Sequence, residues 1–364
     1  MRRVKAEHGI VCRKEGMFGY FSWPSVTRTD DGKLLVIASG HRIAHLCPFG
    51  KSMLLMSHDE GKTWSEPIIV GDTLIDDRDS GIVNLGGSKL LATWFSYDER
   101  ISEKSYIQTM NAEEHAVATG YCASLSDEDY DNYLGSYVRR SLDGGLTWTP
   151  RDRVPVTAPH GPIKLRNGKL LYLGKEYRGR HHNLDGNVMS YTSSDEGATW
   201  VFTGVVPLPD GANPACFNEP HVVELPSGRL LGMVRYQHME PYTNESLSFF
   251  STCSDDAGKT WSTAVPTGVE GTPPHLIRHS SGALICVYGR RIYPFGEMVM
   301  ISYDDGETWE TDIVIRDDGS DWDLGYPCST ELPDGSIFTV YYQKLANEKK
   351  CSILWSRWLL PDCL

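Results

Sequence analysis

One eight-residue phrase recurs five times along the chain and constrains the fold more than any other feature. Its pattern is Ser-x-Asp-x-Gly-x-Thr-Trp, and we call each copy a box. An Asp side chain can accept hydrogen bonds from nearby backbone N–H groups, and Gly can adopt positive φ. Each box therefore predicts a tight turn between two strands, with the Trp packed back onto the sheet. The boxes begin at Ser57, Ser141, Ser193, Ser254 and Ser302.

A second phrase alternates with the boxes and predicts six β-hairpins. In each copy an apolar segment leads into a turn with Gly, and a second apolar segment follows. In five copies a Gly lies eight residues after the start, whereas the second copy has Ser88 there, just after Gly87. The copies begin at Pro24, Ser80, His160, Pro220, Pro274 and Pro327.

Six hairpins alternating with five boxes predict six four-stranded units, and radial repetition of such units is a β-propeller. We therefore expect an all-β, six-bladed β-propeller with five boxes, formed as one domain by residues 1–364. The sixth unit has no box and only a final strand near 352–359. A strand near residues 9–13 is expected to close the ring. A linear array or a sandwich is the alternative, but regular alternation and closure without free edges favour the propeller.

The charge balance restricts the kinds of partner. The chain has 35 Lys plus Arg and 48 Asp plus Glu, a formal net charge of −13, which argues against nucleic acid or an anionic membrane as partner. No apolar segment is long enough to span a bilayer, and the N-terminus does not have the pattern of a signal peptide. Nine scattered cysteines without a CxxC pair indicate reduced thiols, so we expect a cytoplasmic protein, with a mature secreted chain as the alternative.

Propeller topology predicts the position of a ligand site. The boxes join third and fourth strands, so the loops that enter first strands and leave second strands lie on the opposite face, around the central opening. We call this opening the mouth. The residues just before the hairpins are Trp23, Asp79, Pro159, Glu219, Pro273 and Tyr326. The loops that leave the second strands contribute Arg42, His45, Arg178, Arg235, Arg290 and Arg291. Carboxylates, a Tyr and arginines around one opening suit glycoside hydrolysis.

Histidines and one insertion also belong to this face. Besides His45, the sequence places His41, His160, His221 and His275 near it. Because no HxH or HExxH spacing occurs, we expect these side chains to bind sugar hydroxyls and expect neither a metal nor another cofactor. Residues 96–135 form an acidic insertion in blade two, with a helix predicted within 103–121. Its role is equally a lid or wall at the mouth, a solvated excursion or a subunit contact.

These motifs resemble those of the sialidase (neuraminidase) superfamily over nearly the whole chain. The box is known there as the Asp-box. The segment FNEPHVVELPSGRLLGMVR is similar to the sialidase segment with a catalytic Glu and an Arg of the carboxylate-binding triad, which implies these roles for Glu219 and Arg235. The segment GYPCSTELPDGSIFTVYY resembles the one that carries a Tyr nucleophile, which falls on Tyr326. A neutral phenol avoids like-charge repulsion when the anomeric carbon bears a carboxylate, and Glu219 would take its proton.

The sequence also departs from that family. Trp23 stands in the phrase Ser-Trp-Pro where sialidases have an Arg-Ile-Pro phrase, and Glu297 with Met298 stands where another basic residue is expected. The segment GHRIAHLCPFGKS has His45 but no carboxylate where the family has its acid/base Asp, while its Arg42 matches the family Arg that ends the first hairpin. Asp79 is therefore our candidate acid/base from topology, and His45 competes with it.

The combined pattern predicts a sialidase-like exo-glycosidase that releases a terminal sugar, neutral or acidic, from a carbohydrate substrate. Tyr326, Glu219 and Asp79 are the expected catalytic residues. The expected substrate-binding residues are Arg235, Arg42, His45, Arg291, His221, His275 and Trp23. Two alternatives remain open: a glycosidase for a non-sialic sugar that uses Asp79 and Glu219 as acid and base, and a carbohydrate-binding propeller without catalysis. The sequence indicates neither the linkage nor an oligomeric state.

Overall fold

A computed structural model describes residues 1–102, 109–177, 186–238 and 247–361, and it is a six-bladed β-propeller. Two short N-terminal strands, β1 (Arg2–Arg3) and β2 (Ala6–Cys12), join sheets formed by the end of the chain. The remaining strands follow in chain order, blade by blade. The six predicted hairpins form the two inner strands of the six sheets, and the boxes lie between the two outer strands of blades one to five.

The first three blades contain these strands. Blade one has β3 (Tyr20–Arg28), β4 (Leu34–Arg42), β5 (Lys51–Ser57) and β6 (Ile68–Gly71). Blade two has β7 (Asp76–Gly86), β8 (Lys89–Tyr97), β9 (Gly135–Ser141) and β10 (Asp152–Val154). Blade three has β11 (Val156–Thr157), β12 (Ile163–Lys164), β13 (Leu170–Glu176), β14 (Val188–Ser193) and β15 (Val201–Val205). Both β11 and β12 pair with β13, so the innermost strand of this blade is broken.

The last three blades are more regular. Blade four has β16 (Phe217–Glu224), β17 (Leu230–Tyr236), β18 (Ser248–Ser254) and β19 (Val265–Glu270). Blade five has β20 (Thr272–Arg278), β21 (Leu284–Arg290), β22 (Gly296–Ser302) and β23 (Glu310–Arg316). Blade six has β24 (Gly325–Glu331), β25 (Ile337–Lys344) and β26 (Cys351–Trp358).

Ring closure uses the N-terminal strand, as the sequence predicts. Strand β2 pairs antiparallel with β26 and supplies the fourth strand of blade six, so the first and last parts of the chain share one sheet. The strand spans residues 6–12 and the final strand 351–358, close to the predicted bounds. Strand β1 pairs parallel with β23 as a fifth strand of blade five, which the sequence analysis did not predict.

The boxes form the same hydrogen-bonded turn each time. In the first, Ser57 Oγ donates to Asp59 Oδ1 over 2.8 Å, and Thr63 N and Oγ1 donate to the two carboxylate oxygens over 2.9 and 2.6 Å. Gly61 has φ of 88°, in the left-handed region that favours glycine. Hydrogen bonds from the box Thr lower the pKa of Asp59 to about 2. The turn is thus fixed by local contacts that the sequence motif itself contains.

The box tryptophans pack between neighbouring blades. Trp64 of blade one lies against Phe338 of blade six, with ring centroids 6.3 Å apart. Trp261 of blade four is buried, and its Nε1 donates over 3.0 Å to Ser190 Oγ in blade three. The core is a series of apolar clusters at the blade interfaces, so each box Trp fastens its blade to the preceding one.

The insertion in blade two lies between β8 and β9. It contains a 3₁₀ turn at Glu99–Ser102 and two helices, α1 (Ala112–Ser124) and α2 (Asp127–Tyr133). A second 3₁₀ turn, Pro214–Cys216, precedes blade four. Helix α1 overlaps the predicted range 103–121 from Ala112 on, and residues 103–108 lie outside the described part of the chain. None of the helices within the described ranges is both long and apolar enough to cross a membrane.

Helix α1 packs on the loop that leaves the first hairpin. Ala118 joins Ile43 and Cys47 in an apolar cluster, and the Tyr121 and Phe49 rings lie 4.8 Å apart. The Glu114 carboxylate is 2.7 Å from Lys350 Nζ of blade six. The insertion thus supports the mouth loop that carries His45.

Candidate active site

Four of the residues that the sequence placed at the mouth share one unusual backbone conformation. Trp23, Asp79, Glu219 and Tyr326 have φ of 50°, 48°, 47° and 52°. Each lies at a shift of register between the first and second strands of its blade. Non-glycine residues in this region cost about 1–3 kcal/mol each, and such strain concentrates at functional sites. The repeated bulge turns these four side chains in the same way on four different blades.

Pro273 of blade five and Pro159 of blade three occupy the two remaining predicted positions around the mouth. Pro273 lies at a corresponding register shift between Thr272 and His275. Pro159 lies in an irregular stretch before β12, where its carbonyl accepts a hydrogen bond from Ser25 Oγ over 3.1 Å. Of these six equivalent positions, four therefore carry an aromatic or carboxyl side chain, and the positions in blades three and five carry prolines.

Glu219, Arg235 and Tyr326 form one hydrogen-bonded group. The Tyr326 hydroxyl donates to Glu219 Oε1 over 2.6 Å, and Arg235 Nη1 donates to Glu219 Oε2 over 2.5 Å. The same Nη1 lies 3.1 Å from the Tyr326 oxygen. Arg235 Nη2 donates to Gln237 Oε1 over 2.5 Å, which fixes the plane of the guanidinium. Blades four and six thus bring the two sequence segments together.

Burial keeps the Tyr326 phenol neutral. Burial first, and then the negative charges of Glu219 and Asp79, raise the pKa of Tyr326 well above its usual value, while Arg235 and Arg291 oppose this. The phenol proton therefore stays on the oxygen at rest and is held by Glu219 Oε1. A neutral nucleophile beside a carboxylate that can take its proton is an arrangement suited to covalent catalysis.

Asp79 is a buried carboxyl with one unpartnered oxygen. The residue is 5% exposed, and its Oδ1 has no hydrogen-bond partner among the described residues. Burial and the nearby Glu219 raise the pKa of Asp79 to about 7, while Arg78, Arg235 and Arg42 oppose the shift. A carboxyl that is partly protonated near neutral pH can donate a proton to a leaving group, and strongly shifted groups of this kind concentrate at active sites.

Arg42 has a structural role rather than the predicted ligand contact. Its side chain is fully buried, and both of its terminal nitrogens donate to the Asp76 carboxylate. It also donates over 2.9 Å to Ser39 Oγ and to the His45 carbonyl. Because Asp76 and these groups hold the guanidinium below the surface, we revise the expected role of Arg42 to support of the mouth loop.

Trp23 is likewise covered. It is 1% exposed, and the guanidinium carbons of Arg78 and Arg42 lie 4.1 and 4.7 Å from its ring centroid. Its ring also meets Tyr326 at 6.3 Å. Arg78, the immediate neighbour of Asp79, thus lies over the tryptophan that replaces the expected arginine, and we revise Trp23 from a ligand contact to the surface on which Arg78 packs.

Arg291 packs against the ring of Tyr326. Its guanidinium carbon lies 5.4 Å from the Tyr326 ring centroid. Its Nε donates to the Leu324 carbonyl and its Nη2 to the Tyr342 hydroxyl, both over 3.0 Å. The structure therefore brings Arg291 to the site, as the sequence expected, but orients it mainly through protein groups. Arg178 lies outside the described residues.

His45 lies at the mouth and is held through one ring nitrogen. His45 Nδ1 is 2.8 Å from Asp323 Oδ1, and the Tyr20 hydroxyl donates to both Asp323 oxygens over 2.9 and 3.0 Å. The ring meets Trp23 at 5.0 Å and the exposed Trp322 at 5.6 Å. Burial lowers the pKa of His45, and the Asp323 charge opposes that shift.

His221 and His275 lie below the site rather than in contact with the mouth. With His160 they form a buried cluster, here called the axial histidines, with ring centroids 4.2–5.9 Å apart. His221 Nδ1 accepts from Leu276 N over 3.0 Å, and His275 Nε2 lies 3.2 Å from Cys328 Sγ. We therefore revise their predicted sugar-binding role to support of the site floor.

The axial histidines are neutral. Burial lowers the pKa of His221 to about 3 and those of His160 and His275 well below the usual value, with mutual repulsion adding to both. Within the described ranges, no group of three or more His, Cys, Asp or Glu side chains is arranged to hold a metal ion.

Four residues that the fold assembles at the candidate site were not predicted from the sequence. Arg78 and Asp76 stand beside Asp79 in the chain, so their adjacency was an available signal. Asp323 and Tyr20 carry no motif, and only the contact between blades six and one reveals them. Together the groups provide a proton acceptor, a neutral phenol, a carboxyl acid and an oriented imidazole around one opening.

Comparison with known proteins supports this architecture. The BNR repeat-like domain family matches residues 121–339. A sialidase from Micromonospora viridifaciens is 24% identical over an aligned length of 359 residues. The alignment covers 90% of this chain and 50% of the relative, so the chain spans about half the length of that curated relative.

Solved structures share the fold. A protein of unknown function from Dyadobacter fermentans superposes with a TM-score of 0.76 at 21% identity, covering 98% of both chains. The NanB sialidase from Streptococcus pneumoniae gives 0.66 at 16% identity, covering 97% of this chain and 70% of that one. The Trypanosoma rangeli sialidase in complex with sialic acid gives 0.64 at 14%, covering 98% and 60%. The chain therefore belongs to the BNR repeat-like domain family and has the six-bladed propeller fold of the sialidases.

Proposed function

We propose that the protein is a retaining exo-glycoside hydrolase in which Tyr326 is the nucleophile. The observation that carries this proposal is the 2.6 Å hydrogen bond from the Tyr326 hydroxyl to Glu219 Oε1, with Arg235 on the other carboxylate oxygen. Similarity to sialidases supports the same reaction class.

In the first step the Tyr326 oxygen attacks the anomeric carbon while its proton passes to Glu219. Asp79 donates its proton to the leaving-group oxygen, since its raised pKa of about 7 leaves a protonated fraction near neutrality. The product is a glycosyl–tyrosine intermediate and a free aglycone. Arg235 keeps Glu219 in place and moderates the charge that develops on the phenol oxygen.

The cations at the mouth favour an acidic terminal sugar. Arg78, Arg235 and Arg291 surround Trp23 and Tyr326 on three blades. Arg78 lies where the chain lacks the arginine that sialidases have, so it restores positive charge from a neighbouring blade. Guanidinium groups pair well with carboxylates.

A panel of 4-nitrophenyl glycosides, including the sialoside, uronides and neutral sugars, tests the proposal. We expect turnover of at least one acidic sugar, and a mass increase on Tyr326 when the matching 2-fluoro or 3-fluoro sugar is added. Turnover without labelling, and with full activity in Tyr326→Phe, would instead support Asp79 and Glu219 acting alone as acid and base. Binding without turnover of any glycoside would support a non-catalytic carbohydrate-binding propeller.

A further inference from the structure

A second proton-carrying group lies at the mouth where blades one and six meet. His45 belongs to the loop that leaves β4 of blade one, and Asp323 to the loop that enters β24 of blade six. Their contact joins residues 278 positions apart, and it forms where these two neighbouring blades meet. The Tyr20 hydroxyl completes the group by donating to both oxygens of Asp323.

The contacts of this group fix the orientation of the imidazole. His45 Nδ1 faces the Asp323 carboxylate at 2.8 Å, and the Tyr20 oxygen is 3.2 Å from the same nitrogen. Although burial opposes ionisation, His45, Lys344 and Tyr20 keep the pKa of Asp323 well below its usual range, so Asp323 is a carboxylate that accepts from Nδ1–H. A carboxylate on Nδ1 selects the tautomer whose Nε2 is an acceptor.

The other ring nitrogen is available to a ligand. Nε2 makes no hydrogen bond to any residue within the described ranges, and the side chain is 24% exposed, whereas Asp323 is only 7% exposed. The charged groups around the ring are Asp323, Arg78 and Arg291, and the two arginines favour the neutral imidazole. The ring is edge-on to Trp23 with centroids 5.0 Å apart, and the Trp23 centroid is 6.3 Å from that of Tyr326, so the Trp23 ring links the histidine to the proposed nucleophile.

We propose that His45, positioned by Asp323 and Tyr20, is the general base that activates water to hydrolyse the glycosyl–tyrosine intermediate. The inference rests on the proposed function and divides its two steps between two groups, Asp79 as the acid and His45 as the base. The environments of the two groups agree with this division, because burial raises the pKa of Asp79 and lowers that of His45.

The second step hydrolyses the glycosyl–tyrosine bond. Water forms the new bond to the anomeric carbon and gives one proton to His45 Nε2. The bond between that carbon and the Tyr326 oxygen breaks, and the departing phenolate takes back the proton that Glu219 received in the first step. His45 then releases its proton to solvent, and Asp79 regains one from solvent.

Rapid-quench kinetics test the role of His45, with the 4-nitrophenyl glycoside that the wild-type protein hydrolyses in the panel. In His45→Gln we expect the burst of 4-nitrophenol to persist, because formation of the intermediate does not use His45. The steady-state rate should fall by about 10²–10⁴-fold, the usual range for loss of a general base. Azide, which needs no base, should restore turnover and give the glycosyl azide. His58→Gln is the matched control, since His58 is exposed in the first box, on the face opposite the mouth.

Asp323→Asn provides a second, milder test. The Asn amide can donate to Nδ1 and so favours the tautomer with a proton on Nε2, which cannot accept one. We expect the burst with a slowed steady state here too. A wild-type steady-state rate in His45→Gln, or a burst lost in parallel with turnover, would overturn the inference while leaving the proposed function intact. If the wild-type protein hydrolyses no glycoside, both fail together.

Discussion

The Tyr326 hydroxyl donates a 2.6 Å hydrogen bond to Glu219 Oε1 across 107 positions of sequence. The two residues share a positive φ of 52° and 47° at equivalent bulges of blades six and four. The same bulged backbone conformation therefore orients both side chains. The regular sheet on either side of each bulge holds the strained residue in place.

Replacing Tyr326, the proposed nucleophile, should stop turnover without loss of binding. In Tyr326→Phe we expect kcat to fall on the order of 10³-fold or more, because the substitution removes the oxygen proposed to form the covalent intermediate. The dissociation constant for the product sugar, measured by calorimetry, should change little. Tyr341→Phe is the control, because Tyr341 is buried in the same blade and bonds to Ser356. Equal rates in the two variants would contradict the assignment.

The acid role of Asp79 predicts a specific pH dependence. With its pKa raised to about 7, the carboxyl is protonated below that pH and loses its proton above it. We therefore expect kcat/KM for a glycoside with a poor, alkyl leaving group to fall as pH rises through about 7. In Asp79→Asn this fall of kcat/KM with rising pH should disappear, and the alkyl glycoside should react far more slowly. A 4-nitrophenyl leaving group, which needs little protonation, should be affected much less. The same fall of kcat/KM with pH in the variant would contradict the proposed acid role of Asp79.

Replacing Arg42 should mainly lower stability, whereas replacing Arg235 should mainly lower activity. Arg42→Met leaves Asp76 in the interior with Arg78 as its remaining cation, so we expect a loss of about 3–5 kcal/mol in the free energy of unfolding. Arg235→Met should lower kcat/KM strongly and stability less, since that guanidinium touches Glu219 and Tyr326. Urea unfolding and steady-state kinetics of both variants distinguish the roles. An Arg42→Met variant with unchanged stability and a raised KM would instead indicate that Arg42 contacts the ligand.

The box tryptophans should differ in their effect on stability according to burial. Trp261 is 6% exposed and packs in the interface of blades three and four, so Trp261→Ala should cost about 3–5 kcal/mol. Trp64 is only partly buried, and Trp64→Ala should cost less. Both variants should keep the wild-type kcat well below their melting temperatures, because the boxes lie on the face opposite the mouth. A fall in kcat with unchanged melting would disprove a purely structural role.

The axial histidines should make the fold sensitive to acid. Their folded pKa values lie below the unfolded value near 6.5, so the unfolded chain binds more protons and stability falls as pH drops below about 6.5. Above that pH both states are neutral and the contribution is flat. His221→Gln should flatten the decline in unfolding free energy between pH 7 and 5, whereas His58→Gln, at an exposed position, should not. A decline of the same size in both variants would contradict this.

The repeats in the sequence determined the blade number, the closing strand and the residues that face the mouth. This was possible because each hairpin and box is a local unit whose turn chemistry lies within a few residues, and because antiparallel strands place equivalent positions at the same end of every blade. Register therefore pointed to Asp79, register and family resemblance together pointed to Glu219 and Tyr326, and the structure has all three on matching bulges.

Only the tertiary structure decided what those side chains touch. Arg42 pairs with Asp76 of the next blade, 34 positions away, so it does not face the mouth, whereas Arg78 packs on the ring of Trp23. His45 obtains its partner Asp323 from the far end of the chain through ring closure. Burial, pairing and pKa depend on which blades become neighbours and on how far each side chain is removed from water, and a local sequence pattern contains neither quantity.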